Sequence, residues 1–334
     1  MTKKKQPVSD DLISYMLKGP YKYTSREVAD KVGISLGQAR QIWRAMGFAD
    51  VGRARAFTES DVKMLETLME LVNGGYLKFD DALEVVRSLG QTAARLADWQ
   101  GTTLGRVFAE RHRIETAGEL RASEVPDVLL DAKVMTPALE RLMVHAWRRH
   151  TAAEIARASD QASSDDEFTG QMTVGFADLV GFTRISREMP DDQLAELVQL
   201  FESVSSDVVS SLGVRLVKTL GDEVLFAHEK VDVVGEAALT LHEAFIGDHD
   251  VPKLRVGLAT GPVISRMGDV FGTTVNRASR LTVMAKPTNT YIDALTMDLL
   301  QGDERFVVRG VRPRPVRGFG LMRSWSLSRP KKSK

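Results

Sequence analysis

The sequence contains no cysteine, has no net charge and lacks long apolar runs. The absence of cysteine excludes disulfides, thiolate zinc sites and cysteine nucleophiles, and it fits a reducing cytoplasm, where we expect the protein to reside. Basic and acidic residues balance at 45 each, so no overall field attracts nucleic acid or anionic lipid. No segment approaches the ~20 apolar residues of a membrane-spanning helix. We therefore expect a soluble protein without a membrane partner.

Residues 1–160 are predicted to form an all-α domain, because apolar residues recur at helical spacing along SREVADKVGISLGQARQIWRAMG and FTESDVKMLETLMELVNGGYL. The stretch FDDALEVVRSLGQTAARLADWQGTTL predicts a further helix or pair of helices. A long helix is predicted from Pro137 to Ser159, with proline in its first turn. The Ser- and Asp-rich stretch that follows predicts a linker over residues 161–170.

The N-terminal half also has the pattern of a winged-helix or MerR-type DNA-binding unit. Four arginines could then contact phosphates: Arg40, Arg44, Arg53 and Arg55. The balanced charge of the chain weakens this interpretation, and a nucleic-acid partner is disfavoured. The alternative is an interaction or regulatory domain built on the same helical scaffold.

Residues 171–334 read as strands alternating with helices, in the approximate order β-α-β-β-α-β. The fold class predicted for this half is α+β, with a ferredoxin-like sheet and helices packed on one of its faces.

Three segments of this half carry residues suited to phosphate chemistry. In TVGFADLVGFTRIS a strand runs into Asp178, and a glycine-containing turn then leads into a helix whose N-terminus suits an anion. Asp178 could hold a hard cation against that anion. The simpler alternative is an acidic residue that caps the helix.

The second segment, KTLGDEVLF, places Lys218 before a glycine turn and Asp222 after it. If this strand lies beside the one that ends in Asp178, two carboxylates share one edge of the sheet. Close like charges require a proton, a cationic partner or metal ions, and two Mg²⁺ ions with substrate phosphates would satisfy them. A solvated surface hairpin is the alternative.

The third segment, GDVFGTTVNRASRL, places Asp269 in a loop ahead of a helix. Asn276 and Arg280 are four residues apart and therefore share one helix face. That face could bind a phosphate or a ribose oxygen, or it could simply be solvated.

In this order, the three segments resemble the class III nucleotidyl cyclase catalytic domain over roughly residues 170–328. The resemblance implies a head-to-tail homodimer with active sites at the dimer interface and two divalent ions, Mg²⁺ or Mn²⁺. It also implies roles for the site residues, namely metal binding by Asp178, Leu179 and Asp222, purine contact by Lys218 and Asp269, substrate contact by Phe182 and Thr183, and ribose and transition-state contact by Asn276 and Arg280. Arg317, in VRGFG, is the best match to a basic residue that meets the triphosphate, although a Phe stands where some members have a second Lys.

The resemblance implies cyclisation of a nucleoside triphosphate, and hydrogen bonding favours ATP. Adenine offers an acceptor at N1 and a donor at its amino group, which complement Lys218 and Asp269. Guanine reverses the pattern, and each unpaired buried group costs about 1–3 kcal/mol. A guanylate cyclase is the alternative, and the GDE sequence is also similar to diguanylate cyclases, which lack the VNxAxR helix. A receiver domain would alternate strands and helices in a parallel sheet, and no GxxxxGK[ST] loop indicates a P-loop ATPase.

The N-terminal half resembles the helical regulatory domain of actinobacterial pH-sensing cyclases. It contains His112, His145 and His150, in or beside the helices that approach the linker. Because a histidine titrates near pH 6.5, we expect these residues to be candidates for a proton switch that regulates the cyclase domain.

Overall fold

A computed structural model describes residues 9–112, 125–163, 170–246, 252–266 and 268–330. The chain divides into two compact units, Met1–Asp160 and Gln161–Lys334. None of the helices in the described part of the chain combines the length and apolar character that crossing a membrane requires.

The described residues of the N-terminal unit form helices joined by turns, and one core holds the second to fifth helices together. The buried side chains of this core include Val28, Ile42, Leu65 and Val86. The helices are α1 (Ser9–Met16), α2 (Ser25–Val32), α3 (Leu36–Ala45), α4 (Glu59–Asn73), α5 (Phe79–His112) and α6 (Val125–Ser163), the last of which ends just beyond the boundary of the unit.

Local sequence signals explain where these helices begin and end. Thr24 forms a capping box at the start of α2, and Thr58 forms one with Asp61 at the start of α4. Gly33 takes a left-handed conformation (φ 76°) that ends α2 and separates it from α3. The segment SREVADKVGISLGQARQIWRAMG is therefore two helices joined by a tight turn.

The long helix before the C-terminal unit begins earlier than predicted. Pro137 lies inside α6 and not in its first turn. Proline removes one N–H from the ladder, and the carbonyl it would have bonded belongs to Lys133, which is exposed to solvent. Val128 and Ala132 are buried and hold the preceding turns in place. Residues 161–163 of the predicted linker are the last residues of α6, and residues 164–169 lie outside the described residues.

The C-terminal unit is an α+β domain with a ferredoxin-like sheet, as predicted. The sheet has the strand order β2-β3-β1-β4-β7-β9-β8, and each of its first four strands is antiparallel to its neighbours among them. A separate ribbon pairs β5 with β6. The elements are β1 (Gln171–Leu179), α7 (Phe182–Glu188), α8 (Asp191–Ser211), β2 (Arg215–Leu220), β3 (Glu223–His228), α9 (Val231–Ala244), β4 (Leu254–Pro262), β5 (Ile264–Arg266), β6 (Asp269–Phe271), α10 (Thr273–Met284), β7 (Thr290–Ile292), α11 (Ala294–Leu300), β8 (Val307–Val316) and β9 (Gly320–Ser328).

Helices cover both faces of this sheet, whereas the sequence predicted them on one. Ala177 and Leu179 of β1 pack with α8 and α9. Val174 and Phe176 point the other way and pack with α10. Because side chains alternate along a strand, Asp178 lies on the face that α10 covers. The helix that carries Asn276 thus shares a sheet face with the first acidic residue.

Candidate active site

Three charged side chains meet where strands β1, β3 and β4 end together. Asp178 lies opposite Glu223 of β3 and opposite Arg255 of β4 in the antiparallel register, so all three point to the same face. Asp222 occupies the turn just before β3, and its carbonyl accepts a 2.9 Å hydrogen bond from the amide of Leu179. The predicted neighbourhood of Asp178 and Asp222 is therefore present.

Three acidic residues, Asp178, Asp222 and Glu223, lie together at this end of the sheet, which we call the acidic end. Arg255 beside them balances only part of their negative charge. Arg255 donates from Nη2 and Nε to the two oxygens of Asp178, at 2.9 and 3.2 Å. Burial, followed by the charge of Asp178, raises the pKa of the Asp222 carboxyl above its ordinary value. Burial also raises the pKa of Glu223 to about 7, together with the charges of Asp178 and Asp222. A cation placed here would lower both pKa values.

These residues fit divalent ions with oxygen ligands, Mg²⁺ or Mn²⁺. Among the described residues, no group of three or more His, Cys, Asp or Glu side chains is arranged to hold a metal ion. Two acids would therefore need other oxygen donors, and substrate phosphates are the natural ones. Leu179 could contribute only through its backbone carbonyl, because its side chain has no donor atom and is buried.

Lys218 and Asp269 form a direct ion pair, with Nζ 2.5 Å from Oδ2. They lie 51 residues apart in sequence, and each side chain remains about one third exposed or less. A register shift between Leu216 and Lys218 sets the direction of the lysine. Partial burial opposes ionisation of Asp269, but hydrogen bonds from Lys218 and the Val270 amide outweigh it and lower the pKa of this carboxyl. Asp269 is therefore an ionised acceptor beside a cationic donor.

Asn276 and Arg280 are both exposed on α10, on the face that points away from the sheet. The opposite face is pressed closely onto β4. A Cβ added at Gly257 would lie 2.2 Å from the amide nitrogen of Thr282, so only glycine fits this contact. The predicted pairing of Asn276 and Arg280 on one helix face agrees with these positions.

The remaining predicted residues occupy two separate places. Phe182 and Thr183 form the first turn of α7, directly after the turn that follows β1. Arg317 is exposed in the turn between β8 and β9. Since β8 and β2 are the two opposite edges of the sheet, one chain does not bring Arg317 and Lys218 together.

Sequence reasoning missed Arg255 and Glu223. Glu223 adjoins Asp222 in KTLGDEVLF, so its proximity was visible in the sequence. Arg255 belongs to none of the three segments and lies 77 residues from Asp178 in the sequence. Its only signal was a cation inside the apolar run LRVGLATG, where the strand is otherwise buried.

Two of the four arginines considered for phosphate contact, Arg40 and Arg55, have carboxylate partners within the N-terminal unit. Arg55 donates to Glu27 at 2.9 Å, and Arg40 lies 3.7 Å from Asp50. Contacts with carboxylates compete with the phosphate contacts that DNA binding would require.

The predicted proton-switch histidines have different surroundings. His112 hydrogen-bonds to the buried Asp131 at 2.8 Å, and Arg111 lies 3.4 Å from the same carboxylate. His145 and His150 are exposed on α6.

Known proteins resemble the chain over nearly its whole length. The family described as "Adenylate and Guanylate cyclase catalytic domain" matches residues 165–329. A Streptomyces coelicolor protein named adenylate cyclase is 41% identical, over 97% of this chain and 90% of its own length. A Mycobacterium tuberculosis protein named pH-sensitive adenylate cyclase is 28% identical, over 79% of this chain and 66% of its own length. Among solved structures, the catalytic core of a rhodopsin-guanylyl cyclase with converted specificity, in complex with ATPαS, is 26% identical. It aligns with 48% of this chain and 97% of its own, with a TM-score of 0.46.

Proposed function

Because the chain belongs to the class III nucleotidyl cyclase family, we propose that it is an adenylate cyclase that converts ATP to 3′,5′-cyclic AMP and pyrophosphate. The observation that supports this most directly is the Lys218–Asp269 pair, which offers a donor and an acceptor side by side. The absence of cysteine agrees with a cytoplasmic location for the enzyme.

In the proposed reaction the ribose 3′-oxygen attacks the α-phosphorus, its proton passes to water or to a substrate oxygen, and the bond to the β-phosphate oxygen breaks to release pyrophosphate. Asn276 orients the ribose, and Arg280 stabilises the negative charge that develops on the transferred phosphoryl group. Phe182 and Thr183, in the first turn of α7, contact the substrate, and Arg317 contacts its triphosphate. Two divalent ions bound by Asp178, Asp222 and the Leu179 carbonyl would supply Lewis-acid activation and charge neutralisation.

The purine is selected by Lys218 and Asp269. In the free protein Lys218 donates to Asp269. When adenine binds, this ion pair is replaced by two hydrogen bonds to the base, in which Lys218 is still the donor and Asp269 still the acceptor. Lys218 donates to N1, and Asp269 accepts from the 6-amino group. Guanine presents a donor at N1 and an acceptor at O6, which would leave both protein groups facing like partners.

The double variant Lys218→Glu with Asp269→Cys is expected to lose ATP selectivity. Two mismatched groups correspond to a loss of about a hundredfold or more in kcat/KM for ATP, and use of GTP should rise. The measurement is steady-state kinetics with both nucleotides. Lys230→Glu with Asp298→Cys is a matched control, because both residues are exposed away from these motifs. Unchanged ATP kinetics in the first variant would remove Lys218 and Asp269 from the purine site.

We also propose that two chains assemble head to tail. Each chain would give its acidic end to one active site and its purine pair and α10 to the other. Large apolar side chains beside these elements are exposed, namely Leu220, Phe271 and Val283, at 51%, 49% and 57%. Covering such side chains is a general reason for a symmetric interface to form.

The N-terminal unit is proposed to regulate the cyclase. Its last helix, α6, continues without a break to Ser163, shortly before β1 begins at Gln171. A helix in this position can set how two catalytic domains face each other, and a two-state change needs only a few kcal/mol of bias. Added positive charge on His145 or His150, which lie close to Arg148 and Arg149 along α6, would disfavour the resting arrangement. A charge on His112 would instead face the Asp131 carboxylate.

Removing the N-terminal unit is expected to raise activity at neutral pH. A chain that starts near Asp165 should be more active than the full chain, because it lacks the restraint. The full chain's activity should rise between about pH 8 and pH 6, around the reference pKa of histidine, whereas the shortened chain's should not. Initial rates of both proteins across this range provide the measurement. Equal rates at every pH would contradict a regulatory role.

A further inference from the structure

Arg277 lies on α10 between the two proposed functional residues, Asn276 and Arg280. Its Nη1 atom donates a 2.8 Å hydrogen bond to Oδ2 of Asp293. The Asp293 side chain is only 6% exposed, and this residue is the N-cap of α11. A buried carboxylate requires a charged or well hydrogen-bonded partner, so the guanidinium of Arg277 is held in one place.

The other oxygen of Asp293 is held by a chain of buried hydroxyl groups. Oδ1 accepts from the Thr296 hydroxyl at 2.6 Å, from the Thr296 amide at 3.0 Å and from the Thr260 amide at 3.3 Å. The Thr296 hydroxyl contacts that of Thr260 at 2.7 Å, which in turn contacts that of Thr173 at 2.9 Å. Because a carboxylate only accepts, Thr296 donates to Asp293 and every hydroxyl in the chain points toward it.

Asp293 directly follows the short strand β7 and lies beside Thr260 of β4, where β7 has ended and the sheet leaves room for contacts from both faces. The threonine chain and α11 approach it from the face that α8 and α9 cover. Arg277 approaches it from α10, on the face that carries Asp178. The ion pair thus connects α10 to Asp293 and, through it, to the hydrogen-bonded threonines on the opposite face of the sheet.

The position of Arg277 on the helix determines what the ion pair restrains. Successive residues differ by about 100° around a helix axis. Arg277 consequently lies on the flank between the exposed Asn276 and Arg280 and the buried Ala278 and Leu281. Close packing at Gly257 sets how near α10 approaches β4. The Arg277–Asp293 ion pair adds a directional, charge-assisted contact on the flank of the helix, where rotation would displace it most.

We propose that Arg277 is a positioning residue of the cyclase reaction: its ion pair with Asp293 fixes the rotation of α10 and thereby the direction in which Asn276 and Arg280 leave the helix. This inference rests on the adenylate cyclase function proposed above. Loss of the ion pair would let α10 turn by a few degrees, which moves the end of a long arginine side chain by roughly an ångström. A misplacement of that size can cost up to about a hundredfold in rate.

The test compares Arg277→Gln, Arg277→Lys and wild type as full-length chains with ATP. We expect Arg277→Gln to lower kcat by about tenfold to a hundredfold while the KM for ATP changes less than about twofold. Arg277→Lys, which retains the charge, should recover part of the loss. Arg305→Gln is the matched control, because Arg305 also forms ion pairs, with Asp303 and Asp232, and is not on α10. Its kcat should match wild type.

A double-mutant cycle separates positioning from stability. If Arg277 acts through Arg280, then Arg277→Gln should have little further effect in an Arg280→Ala background. Equal fractional losses in both backgrounds, or a loss that follows melting temperature, would overturn the positioning role. Wild-type kcat in Arg277→Gln would overturn it too, while leaving the cyclase function in place. A wild-type chain that makes no cyclic AMP from ATP would overturn both proposals.

Discussion

Replacing Asp178 or Asp222 with alanine is expected to abolish cyclic AMP formation while the chain stays folded. Each change removes one of the two acidic oxygen donors proposed for the metal ions. Loss of a group that stabilises charge in the transition state typically costs a hundredfold to a thousandfold. With both ions affected, we expect a loss of about a thousandfold or more in kcat/KM at saturating Mn²⁺.

The fold should survive because the acidic end of the sheet is crowded with like charge. Burial and Asp178 raise the pKa of Asp222, so ionised Asp222 destabilises its surroundings and alanine removes that cost. In Asp178→Ala, Arg255 loses its carboxylate partner but still faces the negative end formed by Asp222 and Glu223. Melting temperatures close to that of wild type should therefore accompany both losses of activity.

Asp207→Ala provides the control for these variants. Asp207 is an exposed aspartate on α8, and its replacement removes the same charge without touching the end of β1. It should retain wild-type rates. Substantial turnover by Asp178→Ala or Asp222→Ala at saturating Mn²⁺ would mean that the metal ligands lie elsewhere.

The contiguous parts of the site were predictable because each depends on local sequence. Asp178 ends an apolar strand, and Asn276 and Arg280 are separated by one helical turn, so strand and helix periodicity alone place them. The ferredoxin-like order was predictable for the same reason, since a helix and then a hairpin follow β1. The start of α4 at Thr58 carries its signal locally as well, because a capping box acts within a few residues. The break at Gly33, within a stretch whose apolar spacing is helical throughout, was not predicted.

Contacts that depend on strand register were not predictable. Arg255 reaches Asp178 only because β4 pairs with β1 in one particular alignment, and a shift by one residue would turn its side chain to the other face. Likewise, Arg277 and Asp293 lie 16 residues apart on different elements. The predicted start of α6 at Pro137 is wrong because proline is also tolerated inside a helix where the carbonyl that loses its partner belongs to an exposed residue, here Lys133.

Mixing inactive Asp222→Ala with inactive Arg280→Ala is expected to restore about a quarter of wild-type activity. In a head-to-tail dimer each site takes its acidic end from one chain and its α10 from the other. A mixed dimer therefore has one site with both lesions and one with neither. Random exchange makes about half of the dimers mixed, with half of their sites intact, which gives the expected quarter.

The structure offers a control that uses the same logic. Asp178→Ala mixed with Asp222→Ala should recover nothing, because both lesions fall on the acidic end and every site of every dimer carries one. Asn276→Ala mixed with Arg280→Ala should fail for the same reason, since both lesions lie on α10. Subunit exchange is verified first with differently tagged chains. If exchange occurs and the first mixture stays inactive, each active site is built within one chain. Recovery only in mixtures that combine an acidic-end lesion with an α10 lesion would instead identify which side chains each subunit contributes.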